Sequence, residues 1–574
     1  MCIHLVVDKQ KIIESARHKD FYRLNFSSVW KNSLEKEFGA FSVISPESLE
    51  NVESEYFGNG ELIFVSSSCR DISSSAISRF LSFAESGGIV VVETPSALWN
   101  IGFSDVIIST QIRNINQEKG LYASASVCGD WNEYLPAVPV VSRLCLPEKN
   151  SDPENILLTF RNQPAIIKKS WGKGAVIFLM FDFCMALTAL KQGIPSQGSF
   201  RVKKKHGRLP FITETEDLAI NEDMLTADAP YADILEKFVF AVIEEVKPIP
   251  RIWYFPFGYD GAFLMSHDDE KRGKKKSGYM IEAESELGCI STFFATCPPG
   301  AGKRWQNAKQ DITGKGFEIG WHWNRFPDNF RVIPPEEQIN HFMEITGNPP
   351  ESCRLHFLNW GSDYTYPFRI MEKLGLKQDS SYGPNRGRGY VFGTGMPFHP
   401  ITEEGGLFNI LEIPFQTQEN WGGADGDYSL NLLRNSGEKF HCVITALFHP
   451  HKIAAGTGRE LWLGFFRNAG LYNHWITTFD KLGDFYRRRQ KLRFREIKQI
   501  NDSLNCIFEW DNDGVDAEPA YGIRVYTGKN SLISGNGIRM EKSGNNGGIL
   551  NNLSSESGKL MDLGREYTII KISG

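Results

Sequence analysis

Over its first 248 residues the chain alternates short apolar runs with stretches of helical period. The runs 62–65 and 89–92 are continuous and apolar, which is typical of strands buried on both faces of a sheet. Between them, residues 71–73 can cap a helix whose apolar positions recur at a helical period and which a glycine pair ends. The run 175–180 repeats the strand pattern after a glycine turn. Strands and helices in alternation predict an open parallel α/β sheet.

Two changes of pattern divide the remainder of the chain. The sequence Pro-Ile-Pro at 248–250 marks a linker, and residues 249–490 are long enough for a barrel of alternating strands and helices. In residues 497–574, Asn, Gly, Ser and Asp turn signals separate short apolar runs such as 506–510 and 567–572. Short strands between turns predict a small antiparallel β module.

Length and composition set the broad class of the protein. A chain of 574 residues is too long for one hydrophobic core, so about two to four domains are expected. Its hydrophobic fraction of 41% is ordinary, and its net charge of −6 gives no general drive towards nucleic acid or anionic membranes. The ten cysteines contain no Cys-x-x-Cys pair and favour reduced thiols. The polar first residues do not suit a secretory signal, and no apolar stretch approaches the roughly 20 residues of a membrane span. These features predict a cytoplasmic protein with no membrane span.

The run 266–270, Ser-His-Asp-Asp-Glu, carries the strongest chemical signal of the chain. It follows the apolar run 261–265, so Asp268 and Asp269 stand side by side where a buried strand ends. Adjacent carboxylates at the rim of an apolar element cost free energy unless a cation or a proton separates their charges. Imidazoles come from other predicted strand ends, namely His322, His356, His449 and His451. Such a gathering is typical of a hydrolytic metal site, although an isolated Asp-Asp pair is more often a solvated turn.

Residues from about 260 to about 481 resemble the polysaccharide deacetylase family, which carries five short motifs on a distorted (β/α) barrel with an Asp-His-His metal site. The first family motif, Thr-Phe-Asp-Asp-Gly, corresponds to the run 266–270. The resemblance implies that Asp268 is the general base that takes a proton from water, and that Asp269 is a ligand of a divalent metal. Zinc suits a donor set of nitrogen and oxygen, although other first-row divalent ions would fit.

The second and third motifs supply imidazoles and an arginine. His322 matches the first histidine of the motif His-(Ser/Thr)-x-x-His, whereas Phe326 stands where the second would fall and cannot ligate a metal. The third motif corresponds to Arg354 and His356, with His356 in place of the usual proline. The resemblance implies that Arg354 orients Asp268 through a charge-assisted hydrogen bond. His356 is the candidate replacement ligand, and a hydrogen-bonded histidine lining the cleft is an alternative of equal weight.

The fourth and fifth motifs complete the predicted site. Glu412 is expected to orient the catalytic imidazole, or else to be a strand-end carboxylate in a surface pair. His449 occupies the histidine of the Leu-x-His motif and is implied to be the general acid that protonates the leaving amine. His451 is the alternative acid, or a ligand. Four tryptophans could stack on sugar faces, although each is more often structural: Trp321, Trp323, Trp360 and Trp421.

The first segment resembles the class I glutamine-amidotransferase-like domains, which have a flavodoxin-like fold. Their catalytic members place a nucleophilic cysteine on a glycine-flanked turn between a strand and a helix. Cys69 follows a strand but has no adjacent glycine and no evident His-Glu pair, so we expect an inert thiol and a non-catalytic domain. The expected organisation is a multidomain α/β chain: an amidotransferase-like domain (1–248), a deacetylase-like (β/α) barrel (249–490) and a small β-sandwich (497–574).

These features predict a metal-dependent hydrolase that removes N-acetyl groups from an amino-sugar polysaccharide or glycoconjugate. Phe326 motivates an alternative, a carbohydrate-binding pseudoenzyme whose barrel has kept its cleft and lost its cation. A hydrolase of a non-sugar amide or ester would use the same residues. The expected partner is a carbohydrate substrate and not nucleic acid, and the outer domains could hold the barrel in a homo-oligomer or extend its cleft.

Overall fold

The structure is a computed structural model of the chain. It describes residues 2–18, 21–51, 61–69, 71–93, 106–109, 121–123, 138–142, 144–147, 155–160, 163–194, 203–205, 209–212, 215–221, 223–269, 274–297, 309–310, 312–325, 333–361, 363–385, 388–419, 424–454, 456, 458–500, 503–510, 520–527, 538–543, 549–550, 557–562 and 565–572.

Within these ranges the chain forms a mixed α/β structure. The strands are, in chain order, β1 (Ile3–Val6), β2 (Ser42–Ile44), β3 (Leu62–Val65), β4 (Ile89–Glu93), β5 (Val106–Ser109), β6 (Leu121–Ala123), β7 (Leu144–Pro147), β8 (Ile156–Phe160), β9 (Gln163–Trp171), β10 (Gly174–Leu179), β11 (Lys203–Lys205), β12 (Leu209–Ile212), β13 (Arg251–Ile252), β14 (Gly261–Asp269), β15 (Thr292–Ala295), β16 (Glu318–Trp323), β17 (Ser352–Leu355), β18 (Gln378–Asp379), β19 (Leu411–Glu412), β20 (Thr417–Gln418), β21 (Val443–Phe448), β22 (His474–Thr477), β23 (Leu492–Ile500), β24 (Ser503–Trp510), β25 (Tyr521–Tyr526), β26 (Ile538–Ser543), β27 (Ile549–Leu550), β28 (Ser557–Asp562) and β29 (Arg565–Ile572).

The helices of the same ranges lie between these strands. They are Lys9–Ala16, Trp30–Phe38, Pro46–Asn51, Ser74–Glu85, Phe183–Gln192, Tyr231–Val246, Lys274–Glu286, Pro335–Thr346, Tyr366–Lys373, Ala424–Glu438, Pro450–Ile453, Arg459–Leu471 and Phe479–Arg489. Short 3-10 turns occur at Phe21–Arg23, Ser27–Val29, Thr215–Leu218, Asp223–Thr226 and His356–Leu358. None of these helices combines the length and the apolar character that crossing a bilayer requires.

The first large sheet belongs to the N-terminal part of the chain and has the order β2-β1-β3-β4-β10-β9-β8-β6. The strands predicted at 62–65, 89–92 and 175–180 are confirmed as β3, β4 and β10, and they are parallel to one another. The strands β9, β8 and β6 instead continue the sheet in antiparallel pairs, which the prediction of a parallel sheet missed. The reason is local: residues 172–173 join β9 directly to β10, and Gly172 has the positive φ of 59° that tight hairpin turns require.

The segment after β3 contains the predicted helix with its cap and the predicted buried cysteine. The Ser73 hydroxyl accepts a hydrogen bond from the Ala76 amide at 3.3 Å and so caps the helix Ser74–Glu85. The Cys69 thiol is buried and donates to the Val6 carbonyl at 3.3 Å. Burial raises the pKa of Cys69 to about 11, so little thiolate forms near neutral pH, in keeping with an inert cysteine. The amidotransferase-like character of this segment stays a prediction.

The second large sheet is a curled parallel sheet from the middle of the chain. Its order is β19-β18-β17-β16-β15-β14-β21-β20, and β22 pairs with the first half of β14. Only residues 413–416 join the edge strands β19 and β20, and this segment bridges the gap between the edges. Ile413 donates to the Asp379 carbonyl at 2.8 Å, and Gln416 donates to the Thr445 carbonyl at 3.0 Å. Because the strands are parallel, their carboxyl ends lie at one end of the curled sheet, where barrel enzymes carry their active residues.

Among the described residues, the C-terminal part of the chain contributes to two four-stranded sheets. One has the order β23-β24-β26-β27, and its β24 and β26 are parallel, a departure from the predicted antiparallel module. The other, β13-β25-β29-β28, takes β13 from the residues directly after the predicted linker. Contacts cross the predicted boundaries: the Ala40 amide donates to the Leu492 carbonyl at 2.7 Å, and the hydrophobic core is continuous through all three segments. The division into domains 1–248, 249–490 and 497–574 therefore stays a prediction.

Candidate active site

Asp268 lies near the carboxyl end of β14, and Arg354 on β17 fixes its carboxylate. Arg354 Nη1 donates to Asp268 Oδ1 at 3.1 Å and to Ser266 Oγ at 2.7 Å. Arg354 Nε donates to the Ser380 carbonyl at 2.7 Å, and Nη2 donates to Ser380 Oγ at 2.8 Å. The guanidinium is buried, with its Cζ 4.5 Å from the centre of the Phe294 ring. The contact predicted between Arg354 and Asp268 is therefore present. Because hydrogen bonds to Ser266 and Ser380 fix the guanidinium of Arg354, its contact with Asp268 fixes the orientation of the carboxylate.

Two imidazoles stand beside Asp268, each with a defined tautomer. His322 Nδ1 donates to the Arg354 carbonyl at 3.0 Å, since a carbonyl oxygen can only accept, and His322 Nε2 lies 3.7 Å from Asp268 Oδ2. His356 Nδ1 donates to Asn324 Oδ1 at 3.2 Å. The two rings are 5.1 Å apart between centroids and inclined at 71°. In the neutral rings the lone pair is therefore on Nε2, as in metal-ligating histidines whose Nδ1 is held by an oxygen acceptor.

The predicted metal ligands are only partly brought together. Asp269 is buried at the end of β14, where its carbonyl accepts a hydrogen bond from Thr296 Oγ1 at 3.3 Å. Within the described ranges, no three His, Cys, Asp or Glu side chains converge closely enough to hold a metal ion, so Asp269, His322 and His356 do not form a finished ligand set. Phe326 lies outside the described residues. The tautomers of the two imidazoles suit a divalent cation, and the role of Asp269 as the third ligand stays a prediction.

His449 follows β21 and is held by a carboxylate to which the sequence analysis assigns no role. Its Nδ1 donates to Glu419 Oε1 at 2.9 Å, and its backbone amide donates to Glu419 Oε2 at 3.0 Å. Lys452 Nζ lies 2.5 Å from the same Oε1. Burial alone lowers the pKa of His449, but the hydrogen bond and charge of Glu419, together with the charge of Asp268, outweigh burial and raise it. The imidazole is thus more protonated at neutral pH than a free histidine, as a general acid requires.

Glu412, the predicted orienting carboxylate, belongs to a different pair. Its Oε1 accepts from the Tyr382 amide at 3.0 Å, and it lies beside Asp379 of the neighbouring strand β18. Burial and the charge of Asp379 raise the pKa of Glu412 well above its usual range. The hydrogen bond to His449 that the fourth motif predicts for Glu412 is made instead by Glu419, because β20, and not β19, is the strand that pairs with β21.

Four residues without a predicted role contact the site: Glu419, Ser266, Ser380 and Asn324. Glu412 is the last residue of β19, and Glu419 directly follows β20. The sequence therefore offers the same signal for both, a carboxylate at a strand end, and does not indicate which of them contacts His449. His451, the alternative acid, lies in the short helix Pro450–Ile453 with its ring 5.5 Å from the His449 ring. The two hydrogen bonds from His449 to Glu419 favour His449 as the general acid.

The tryptophans considered for sugar stacking are structural where the structure describes them. Trp321, Trp323 and Trp360 are almost fully buried. Trp321 and Trp323 stack on each other with centroids 5.4 Å apart, and Trp360 Nε1 donates to the Tyr364 carbonyl at 2.9 Å. Trp421 lies outside the described residues. These three rings therefore support the barrel wall and do not present a face to a ligand.

Several solved structures are similar to part of this chain. A probable polysaccharide deacetylase from Pseudomonas aeruginosa PAO1 is 14% identical over 40% of this chain and 92% of its own, with a TM-score of 0.31. A polysaccharide deacetylase from Bacillus cereus is 10% identical over 38% and 92%, with a TM-score of 0.25. A pseudoenzyme of the CE4 family from Bacillus anthracis is 12% identical over 40% and 67%, with a TM-score of 0.26. No family model and no curated protein matches the sequence. At scores this low the likeness does not decide what the chain does.

The contact between Glu419 and His449 predicts the pH dependence of any reaction that needs a protonated His449. Replacing Glu419 by glutamine removes the negative charge that raises the pKa of His449, so the alkaline limb of a kcat–pH profile should move to lower pH. Lys452→Met removes a charge that lowers the same pKa, so its limb should move to higher pH. Two variants that shift the limb in the same direction would contradict this assignment.

Proposed function

We propose that this chain is a carbohydrate N-deacetylase, in which Asp268 is the general base and His449 the general acid. The observation that carries the proposal is that Asp268 and His449 contact groups of opposite charge. Arg354 donates a charge-assisted hydrogen bond to Asp268, whereas Glu419 raises the pKa of His449, and the charge of Asp268 acts on that pKa in the same direction. A carboxylate and an imidazole with such opposed environments are the usual signature of an acid–base pair.

In the proposed reaction the chain's own residues move two protons. Asp268 accepts a proton from the water that attacks the amide carbonyl, and the Arg354 contact keeps its oxygen directed at that water. His449 donates the proton on Nε2 to the leaving nitrogen, while its Nδ1 stays on Glu419. To complete the cycle, Asp268 releases its proton to solvent and His449 takes one from solvent at Nε2. Glu419, whose pKa is lowered to about 2, stays an anion throughout.

We propose a divalent cation, zinc by its donor preference, as the cofactor of this site. His322 and His356 would hold it through Nε2, with Asp269 as the oxygen ligand. A bound cation of this kind supplies polarisation of the amide carbonyl and a lower pKa for water.

The proposal is tested by measuring acetate release from chitohexaose together with the metal content of the purified protein. We expect turnover, loss of turnover with a chelator, and about one divalent ion per chain. Asp269→Ala should lose both the ion and the activity. Asp260→Ala, at the other end of β14, is the matched control and should keep both. Normal activity and metal content in Asp269→Ala would refute its role as a ligand.

A second function has one observation in its favour. The predicted ligands are not gathered into a set of three among the described residues, as a carbohydrate-binding pseudoenzyme would allow. That protein would bind chitohexaose without releasing acetate and would carry no stoichiometric ion. The same two measurements therefore separate the enzyme from the pseudoenzyme.

A further inference from the structure

The turn after β17 holds two bulky residues in the left-handed backbone region. Phe357 has φ 56° and ψ 18°, and Leu358 has φ 50°. This conformation is costly for residues with large side chains and is rare outside glycine, asparagine and aspartate. Strain of this kind persists only where the surroundings impose it, and it concentrates at functional sites.

The two residues differ in what offsets that cost. Leu358 is 5% exposed and packs with Phe415 and Leu447 in a small apolar cluster, so burial compensates it. Phe357 keeps 38% of its surface exposed, so burial offsets less of its strain. The fold alone would therefore favour a smaller residue at 357 than the aromatic ring that is present.

The Phe357 ring contacts one of the two imidazoles of the candidate site. Its centroid is 4.2 Å from that of His356, whose ring is 5.1 Å from that of His322. His322 Nε2 is in turn 3.7 Å from Asp268 Oδ2. These contacts link the Phe357 ring to Asp268 through the two imidazoles.

The turn that carries Phe357 is braced from the neighbouring strand end. Arg325 Nη1 donates to the Asn359 carbonyl at 2.9 Å and also contacts the Trp360 carbonyl. The Arg325 guanidinium lies 5.2 Å from the centre of the Tyr366 ring. A ring on a fixed turn loses little conformational entropy when a ligand packs against it.

We propose that Phe357 is a stacking platform for the sugar next to the unit whose acetamido group reaches Asp268, so that this neighbouring sugar contributes to binding. This inference rests on the proposed function and names a residue that positions its substrate. One face of a pyranose consists of C–H groups and packs on an aromatic ring, while its hydroxyl rim stays in water. A half-exposed aromatic ring suits this two-sided ligand.

Calorimetric titration with chitohexaose and with N-acetylglucosamine tests the platform. An Asp268→Asn background slows turnover enough for binding to be measured apart from catalysis. Phe357→Ala should weaken chitohexaose binding about tenfold, the loss of a modest apolar contact. The affinity for the monosaccharide should not change. Phe357→Tyr should bind as the parent does, and Leu471→Ala, which removes a 72% exposed leucine elsewhere, should have no effect.

Phe357→Gly separates a binding role from a structural one. Glycine accepts a φ of 56° without strain, so this variant should melt at or above the temperature of Phe357→Ala and still lose chitohexaose affinity. The inference is overturned if Phe357→Ala binds chitohexaose like the parent, if both ligands weaken equally, or if the parent does not bind chitohexaose. Failure to release acetate would contradict the proposed hydrolase and leave the platform standing.

Discussion

Replacing Asp268 by asparagine is expected to lower kcat for acetate release by roughly 10²–10⁴-fold, the usual contribution of a positioned general base. Asparagine preserves the shape of the side chain but cannot take a proton from water. The metal content should remain that of the parent, because the proposed ligands are Asp269, His322 and His356. Initial rates with chitohexaose at saturating concentration measure the effect.

The control for this change is Asp260→Asn. Asp260 lies at the amino end of β14, where its Oδ2 accepts from Asn473 Nδ2 at 2.9 Å, away from Arg354. The Asp260→Asn variant should release acetate at the rate of the parent. If the Asp268 variant kept the parent kcat while remaining folded by circular dichroism, another group would have to be the base.

Replacing Glu37 by glutamine is expected to destabilise the protein by about 3–5 kcal/mol, the cost of breaking a buried ion pair from one side. Glu37 Oε2 accepts from Arg251 Nη1 and from Arg524 Nη2, both at 2.9 Å, and Oε1 accepts from Tyr254 Oη at 2.6 Å. These partners come from the residues just after the predicted linker and from the C-terminal part of the chain. Urea denaturation followed by tryptophan fluorescence measures the loss.

The pH dependence of this effect has a defined sign. Burial alone would raise the pKa of Glu37, but Arg251 and Arg524 lower it from 4.5 to about 2. Its charge therefore stabilises the fold above pH 4.5, and that contribution disappears as the pH falls towards 2. The difference between the parent and Glu37→Gln should shrink over the same range. Glu336→Gln, which removes an exposed ion pair with Lys373, should change nothing measurable, and an equal loss in both variants would refute the role of burial.

Much of the secondary structure follows from local patterns. Continuous apolar runs become β3, β4, β10 and β14, and Ser73 caps its helix as predicted. The antiparallel edge formed by β9, β8 and β6 was not predicted, because a single hairpin turn at Gly172 reverses the chain where the apolar run is equally compatible with either direction. The parallel pair β24 and β26 was missed for a similar reason. The sequence of a short apolar run between turns does not indicate which strand it will pair with or in which direction.

The contacts of the candidate site were likewise predictable only in part. The pairing of Arg354 with Asp268 was predictable because each residue stands in a motif with a known role in the family that the chain resembles. The partner of His449 was not predictable, because Glu412 and Glu419 are both carboxylates at the ends of short strands. Only the pairing of β20 with β21 brings Glu419 within hydrogen-bonding distance of the imidazole.

The sequence by itself determined the candidate site residues and the strand ends at which they stand, because the apolar period and the motif spacing are properties of neighbouring residues. The tertiary structure alone decided which of these groups meet: Glu419 rather than Glu412 at His449, and Phe357 exposed beside His356. Such contacts join residues far apart in the chain, and they depend on the order in which strands pair, which no local pattern encodes.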